Sequence, residues 1–204
     1  MSFDTRVFYD INDFARDTPW LHPIVSGYAN YGVVLFAALL LAGWWIARRD
    51  ANPVRMAAAL WAPLGMLIAL AVNQPIAAAV DETRPCNALH DIVVLHCNTD
   101  AGFPSDHAVM AGAVTAGTWL VHRRLGALAA LAALVMVFAR VYIGAHYPQD
   151  VLAGLVLGAA VSLVGYLLAR PLLRWLLRVL ARSPWRILVT ASTTEPTAAQ
   201  HGSQ

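Results

Sequence analysis

Residues 151–169 read VLAGLVLGAAVSLVGYLLA, a stretch of 19 positions without a charged side chain. Because a helix needs about 20 mostly apolar residues to cross a bilayer, this stretch predicts a transmembrane helix. Four more uncharged stretches precede it, at residues 24–47, 56–80, 108–121 and 125–139. The two shorter ones lengthen through polar residues at one end, to cover 105–122 and 125–143. The chain is therefore expected to be all-α, a polytopic transmembrane helical bundle of about five spans.

The composition supports a single membrane domain. Of the 204 residues, 59% are hydrophobic and 13% are charged, whereas about a quarter of the residues in soluble domains are charged. The net charge of +2 is too small to favour a nucleic-acid partner. We expect one membrane domain over residues 1–182 and a disordered, Ser/Thr/Ala-rich tail over residues 183–204.

The N-terminal segment combines several charges with apolar residues at helical spacing, namely Phe3, Val7, Phe8, Ile11 and Phe14. This pattern predicts an amphipathic helix. Such a helix lies on the membrane surface or packs on the protein's own core, and the sequence leaves both alternatives open.

The arginines predict how the chain threads the membrane, since cytoplasmic loops are enriched in basic residues. Most of them follow the first, third or fifth span: Arg48, Arg49, Arg55, Arg123, Arg124, Arg170, Arg174, Arg178, Arg182 and Arg186. The chain contains no lysine. We therefore expect a multi-pass protein of the cell membrane whose C-terminus is cytoplasmic. Segments 81–104 and 144–149 would then share the extracytoplasmic face.

Three polar clusters lie at the helix ends assigned to that face. They are Arg84-Pro85, Pro104-Ser105-Asp106-His107, and Arg140 with His146 and Asp150. Hydrolysis of a phosphate ester requires donors for the phosphoryl oxygens, and arginine supplies a planar fork of them. The start of a helix adds free N–H groups and a partial positive charge, and Ser105 is the expected N-cap of such a helix.

The histidines supply the remaining chemistry. Neutral imidazole can attack phosphorus, and His146 is the candidate nucleophile. Asp150, in the first turn of a helix that begins near Pro148, would hold the other ring nitrogen. His107 would protonate the leaving oxygen. Each residue also has an ordinary explanation: contact with lipid headgroups, an inert loop histidine or a helix cap. Their coincidence at one membrane face favours function.

Arg84-Pro85, then Pro104-Ser105-Asp106-His107, then Arg140 followed by His146 and Asp150, resembles the three-part signature of the type-2 phosphatidic acid phosphatase (PAP2) family. The resemblance implies a helical bundle, a phosphohistidine intermediate and neither a metal nor another cofactor. It also implies roles for particular residues. His146 would be the nucleophile, Asp150 its orienting partner and His107 the acid, and the phosphate would be held by Arg84, Arg140 and Ser105.

The sequence departs from the family pattern at three positions. Ala77 stands where a lysine is usual, Asp106 where glycine is frequent, and Ala139 where serine is common. Asn73 is a polar residue near the end of the same span and is a possible additional site residue. Asp106 either pairs with an arginine or points away from the site.

Pro104-Ser105-Asp106-His107 also resembles the branch of bacterial undecaprenyl-diphosphate phosphatases linked to bacitracin resistance. The expected substrate is therefore a polyprenyl diphosphate, and the expected role is recycling of the cell-wall carrier lipid. Alternatives within the family are a phosphatidate or phosphatidylglycerophosphate phosphatase and a lipid phosphotransferase. The alternative from another class is a lipid transporter that keeps the fold without catalysis.

Cys86 and Cys97 both fall in the segment assigned to the oxidising face, where disulfides persist. A disulfide between them is favoured over free thiols. His90 and His96 lie close to Cys97 in sequence, but their spacing matches no familiar zinc pattern.

Overall fold

The computed structural model describes residues 3–190, which contain α-helices and two short 3-10 helices and no β-strand. The α-helices are α1 (Phe3–Asp17), α2 (His22–Tyr31), α3 (Val33–Asp50), α4 (Pro53–Val80), α5 (Pro85–Ala88), α6 (Asp106–Val121), α7 (Arg123–Tyr142) and α8 (Pro148–Ala181). The 3-10 helices are Pro19–Leu21 and Pro184–Leu188. The predicted all-α class is confirmed.

Helix α6 is the centre of the bundle and packs against α4, α7 and α8. It is apolar on every side, as expected of a helix surrounded by other helices. Glycines bring α6 and α8 into backbone contact. A Cβ atom added at Gly112 would lie 2.2 Å from the carbonyl oxygen of Leu155, and one at Gly158 would lie 1.9 Å from that of Val109. No larger residue fits at these two crossing points.

By length and composition, three helical segments of residues 3–190 can cross a membrane: Pro53–Ala88, Arg123–Tyr142 and Pro148–Ala181. A bend of 52° separates the helical segments Pro19–Tyr31 and Val33–Asp50. The two segments count as a fourth span if together they cross the membrane once. The helix Asp106–Val121 has 16 residues, about 24 Å at 1.5 Å per residue, which is shorter than a bilayer core of about 30 Å. The expected five spans are therefore not reached on length.

Both predicted helix extensions are confirmed to within one residue. Helix α7 continues through Arg140 to Tyr142. Helix α6 covers Asp106–Val121, and Ser105 and His122, the outermost residues of the predicted extension, are its N-cap and C-cap with extended backbone.

Helix α1 packs on the protein's own core, so the second alternative for the N-terminal segment is the one observed. Phe8, Asn12 and Ala15 are fully buried. Asn12 pairs with both backbone groups of Val93, donating from Nδ2 to the carbonyl and accepting from the N–H, each at 2.8 Å. Asp4 Oδ1 accepts a hydrogen bond from the N–H of Gln149 at 2.8 Å, in the first turn of α8. Helix α1 therefore holds both the loop before α6 and the start of α8.

The first residues of the predicted tail are folded against α3. The indole N–H of Trp44 donates to the carbonyl of Leu188 at 3.0 Å, and Arg48 Nε donates to that of Ile187 at 2.6 Å. Val189 is buried in a cluster with residues of α3, α4 and α8. Residues 183–190 thus differ from the expectation of disorder, because two hydrogen bonds to α3 and the buried Val189 hold them in place. Residues 191–204 of the predicted tail lie outside the described residues.

We predict that Gly158→Ala destabilises the bundle, because its Cβ would overlap the carbonyl of Val109 and force α6 and α8 apart. Overpacking of this kind costs about 1–3 kcal/mol. Thermal unfolding of the detergent-solubilised protein measures the effect. Gly27→Ala is the matched control, because no atom lies within 4 Å of a Cβ at that position. Equal unfolding temperatures for the two variants would contradict close backbone contact.

Candidate active site

The three polar clusters meet at one end of the bundle. The turn between α7 and α8 makes this possible, because Gly144 has a φ of +80°, which favours glycine. A Cβ at Gly144 would also lie 2.8 Å from the carbonyl oxygen of Val93. The carbonyl of Arg140 accepts a hydrogen bond from the N–H of Ala145 at 3.2 Å, which closes the turn. His146 therefore points back at the end of the helix that carries Arg140.

His146 is buried, and its neighbours define its tautomer. Nδ1 lies 2.9 Å from the carbonyl oxygen of Gly102, so it carries the proton and donates it. Nε2 lies 2.8 Å from Nη1 of Arg84 and 3.2 Å from Nη2 of Arg140, so its lone pair accepts from guanidinium donors. Burial, together with the charges of Arg140 and Arg84, holds the pKa of His146 well below its usual value. The imidazole is therefore neutral, and Nε2 carries no proton.

Arg84 is held on several sides by the segment that precedes α6. Its Nε donates to the backbone carbonyl of Asp100 at 3.0 Å, and its Nη2 donates to Oδ2 of Asp100 at 3.0 Å and to the carbonyl of Ala101 at 3.2 Å. Nη1 donates to the carbonyl of Ala145 at 3.2 Å in addition to its contact with His146. This buried guanidinium therefore has a single fixed orientation.

Two buried donors in the same region have no partner within residues 3–190. They are Oγ of Ser105 and Nε of Arg140. Ser105 occupies the N-cap position of α6, as predicted, but its hydroxyl makes no capping bond. Buried polar groups are nearly always hydrogen-bonded, so unpaired donors indicate a place for an acceptor from outside the protein. A phosphate group offers several acceptor oxygens.

Asp150 does not accept the hydrogen bond that the sequence assigns to it. Its Oδ2 lies 3.6 Å from Nδ1 of His146, beyond hydrogen-bond distance, and accepts instead from the N–H of Tyr147 at 2.7 Å. The acceptor at Nδ1 is the carbonyl of Gly102. In this structure Gly102 therefore orients the imidazole, and the Asp150 carboxylate lies close enough to stabilise an imidazolium.

Asp106 pairs with amide groups of α4, so neither expectation for it holds. Asn73 Nδ2 donates to Oδ1 of Asp106 at 2.7 Å and to the carbonyl of Pro104 at 3.1 Å. Gln74 Nε2 donates to the same carboxylate at 3.2 and 3.4 Å. Asn73, a possible site residue from the sequence, thus ties α4 to the start of α6. Gln74 was not predicted from the sequence.

A pocket of about 260 Å³ opens beside Arg84. Ala77, at the position where the family has lysine, lines it with two short-chain neighbours, Ala78 and Ala101. Three carboxylates also line the pocket, those of Asp81, Asp100 and Asp106.

His107 lies in the first turn of α6 and interacts electrostatically with the two arginines of the site and with Asp106. Its side chain makes no hydrogen bond within residues 3–190, so its ring nitrogens are available to a substrate. A disulfide joins Cys86, in α5 just after Arg84, to Cys97, just before Asp100. It therefore ties together the two segments that position the guanidinium of Arg84.

An uncharged imidazole nitrogen facing two guanidinium groups in an apolar helical bundle suits attack on a phosphoryl group. The chain belongs to the PAP2 superfamily, whose profile matches residues 58–174. The resemblance carried by the three motifs is confirmed.

Individual relatives share this class. The chain is 28% identical to undecaprenyl-diphosphatase BcrC of Bacillus subtilis over 194 residues, which cover 94% of this chain and 96% of that protein. It is 30% identical over 164 residues to decaprenylphosphoryl-5-phosphoribose phosphatase of Mycobacterium tuberculosis, covering 79% and 88% of the two chains. The crystal structure of a transmembrane PAP2-type phosphatidylglycerolphosphate phosphatase from Bacillus subtilis has a TM-score of 0.61 at 21% identity, covering 78% of this chain and 83% of that chain. That likeness supports the fold.

We predict that the acid limb of the pH profile of kcat/KM lies below pH 6.5, the usual pKa of histidine. This limb reports ionisation of the free enzyme, and protonation of Nε2 removes the nucleophile. Since the charge of Arg84 lowers the pKa of His146, Arg84→Gln should move the midpoint upward while reducing the rate. Use of one substrate for both proteins cancels the substrate's own ionisation. An unchanged midpoint would contradict the contact between Arg84 and His146.

Proposed function

We propose that this membrane phosphatase hydrolyses a polyprenyl diphosphate of the undecaprenyl type to the monophosphate and so recycles a cell-wall carrier lipid. The observation that carries the reaction is the unprotonated Nε2 of His146, placed 2.8 Å and 3.2 Å from guanidinium nitrogens of Arg84 and Arg140. The substrate class is supported by similarity to undecaprenyl-diphosphatase BcrC across nearly the whole chain.

In the first step the terminal phosphoryl group displaces the arginine donors from Nε2 of His146, and they bind its oxygens instead. The Nε2 lone pair forms a bond to phosphorus as the bond from phosphorus to the bridging oxygen breaks. Burial and the charge of Arg140 lower the pKa of His107 to about 4 in the empty site. The bound anion offsets this effect, so His107 takes up a proton with the substrate. It donates that proton to the bridging oxygen, and the polyprenyl monophosphate leaves. The unpaired donors of Ser105 and Arg140 gain acceptors in this complex.

In the second step a water attacks the phosphohistidine. His107, now neutral, takes a proton from the water as the bond from phosphorus to Nε2 of His146 breaks. Orthophosphate is released and both histidines return to their starting states. The arginines supply the positive charge that balances the phosphoryl group, so the proposed reaction does not depend on a metal.

The catalytic end of the bundle is proposed to face the extracytoplasmic side. Most of the arginines lie away from His146, at the end of α3, the start of α7 and the end of α8, and they include Arg48, Arg123 and Arg178. Basic residues favour the cytoplasmic side of a membrane.

Labelling of single cysteines tests this orientation. An impermeant maleimide applied to intact spheroplasts should label Asp10→Cys, on the exposed face of α1, and should label Arg124→Cys only after permeabilisation. The native cysteines do not react because they are joined in a disulfide. Labelling of Arg124→Cys alone in intact cells would reverse the proposed topology.

The substrate is tested by phosphate release from a panel of lipids in one detergent with EDTA present. Undecaprenyl diphosphate should be hydrolysed faster than phosphatidate or phosphatidylglycerophosphate, because phosphate is a better leaving group than an alkoxide. His146→Ala, the negative control, should lose at least about 10⁴-fold in kcat. A preference for phosphatidate would refute the substrate, loss of activity in EDTA would refute metal independence, and an active His146→Ala would refute the nucleophile.

A second candidate substrate is a phosphate monoester carried by a hydroxylated polyprenyl lipid. The carboxylate of Asp106 and the amide oxygen of Gln74, both in the pocket beside Arg84, are hydrogen-bond acceptors suited to hydroxyl groups. The relative from Mycobacterium tuberculosis is named for such a lipid. Decaprenylphosphoryl-5-phosphoribose therefore belongs in the panel, and it would be the best substrate if this candidate is correct.

A further inference from the structure

Asp100 is a residue that neither the three motifs nor the proposed reaction uses, yet it forms an ion pair with the most constrained side chain of the site. Its carboxylate lies 3.0 Å from Nη2 of Arg84, and its backbone carbonyl lies 3.0 Å from Nε of the same guanidinium. The arginine side chain of this pair is 6% exposed and the aspartate side chain is 62% exposed. A surface carboxylate thus binds a buried catalytic cation.

These contacts occupy one edge of the guanidinium. The Nε and Nη2 edge is directed to Asp100 and Ala101, and only Nη1 points at Nε2 of His146. The Nη1 donor is therefore already oriented when a phosphoryl group approaches Nε2. Fixing a flexible arginine before the substrate arrives removes part of the entropic cost of binding.

The segment 100–102 also holds the nucleophile. The carbonyl of Gly102 accepts from Nδ1 of His146, and the N–H of Gly102 donates to the carbonyl of Glu82 at 2.7 Å. Two of the three residues act only through backbone atoms, which side-chain substitution does not remove. The carboxylate of Asp100 is the part of this support that mutagenesis can test.

We propose that Asp100 is a positioning residue that holds Arg84 ready for the phosphoryl group and thereby raises the affinity of the site for phosphate. A carboxylate in this position could instead lower the affinity for phosphate. A carboxylate near a bound anion repels it and competes for the same guanidinium, so a purely competing Asp100 would weaken phosphate binding. The two effects have opposite signs in a binding measurement.

The proposal rests on the proposed function only in that Arg84 binds the phosphoryl group of the substrate. The experiment therefore uses whichever lipid phosphate the wild-type protein hydrolyses fastest. If the proposed substrate class is wrong, a different lipid is assayed. If Asp100 does not position Arg84, substitution of Asp100 does not weaken phosphate binding.

The variants are Asp100→Ala and Asp100→Asn, with Asp81→Asn as the matched control. Asp81 lines the same pocket, but its carboxylate makes no hydrogen bond or ion pair within residues 3–190. Its left-handed backbone, with φ of 48°, also suits asparagine. The control thus removes an equal charge from the same pocket without touching Arg84.

For Asp100→Ala we expect KM for the lipid and the inhibition constant of orthovanadate to rise about 10-fold, as for loss of a charge-assisted hydrogen bond. Asp100→Asn should show a smaller rise, because its amide oxygen still accepts from Nη2. Asp81→Asn should show none. Partial misfolding lowers the active fraction and hence kcat, but moves neither KM nor the inhibition constant. An unchanged or lower inhibition constant in Asp100→Ala would overturn the proposal, as would an equal rise in Asp81→Asn.

Discussion

Two guanidinium groups donate to one imidazole nitrogen in a buried site. The surrounding structure has to compensate the charge of these buried groups. Buried cations are costly unless they are paired. Arg84 is paired by Asp100 and by backbone carbonyls, whereas Nε of Arg140 and the hydroxyl of Ser105 have no partner within residues 3–190. Two buried donors of the site are thus left without acceptors. In the proposed reaction the phosphoryl oxygens of the substrate accept from them.

The same constraint accounts for the neutral nucleophile. Positive charges next to an imidazole oppose its protonation, and burial opposes it further. The carbonyl of Gly102 fixes the remaining proton on Nδ1, which directs the lone pair of His146 toward the arginines. Binding of an anion between the arginines and Nε2 would reverse the local balance of charge. The site therefore favours a neutral imidazole when empty and tolerates charge on it when occupied.

The sequence predicted which side chains converge at one end of the bundle better than it predicted their hydrogen-bond partners. Arg84, Ser105, Arg140 and His146 were identified because side chains with a required chemistry stood at helix ends on one face. Gly102 was missed because a backbone carbonyl has no residue type that marks its role. Asp100 was missed because its contact depends on the path of the loop, which neither spacing nor periodicity encodes.

The fold was likewise predicted where periodicity and composition decide it. Apolar stretches indicated the long helices correctly, including the continuation of α7 to Tyr142. The central helix α6 was predicted to within one residue at each end, but its 16 residues are short of the full span that the sequence analysis assigned to it. The segment 183–190 was misjudged because its folding depends on contacts with Trp44 and Arg48, far away in the sequence.

The contact between Asp4 and the first turn of α8 has a consequence for handling the protein. Its carboxylate caps the helix that carries Asp150, so α1 is part of the framework that supports the candidate site. A bulky group attached near Asp4 would therefore lie beside that site. Leu188 lies against the far end of α3, at the opposite end of the bundle. A bulky group attached near Leu188 would leave the candidate site clear.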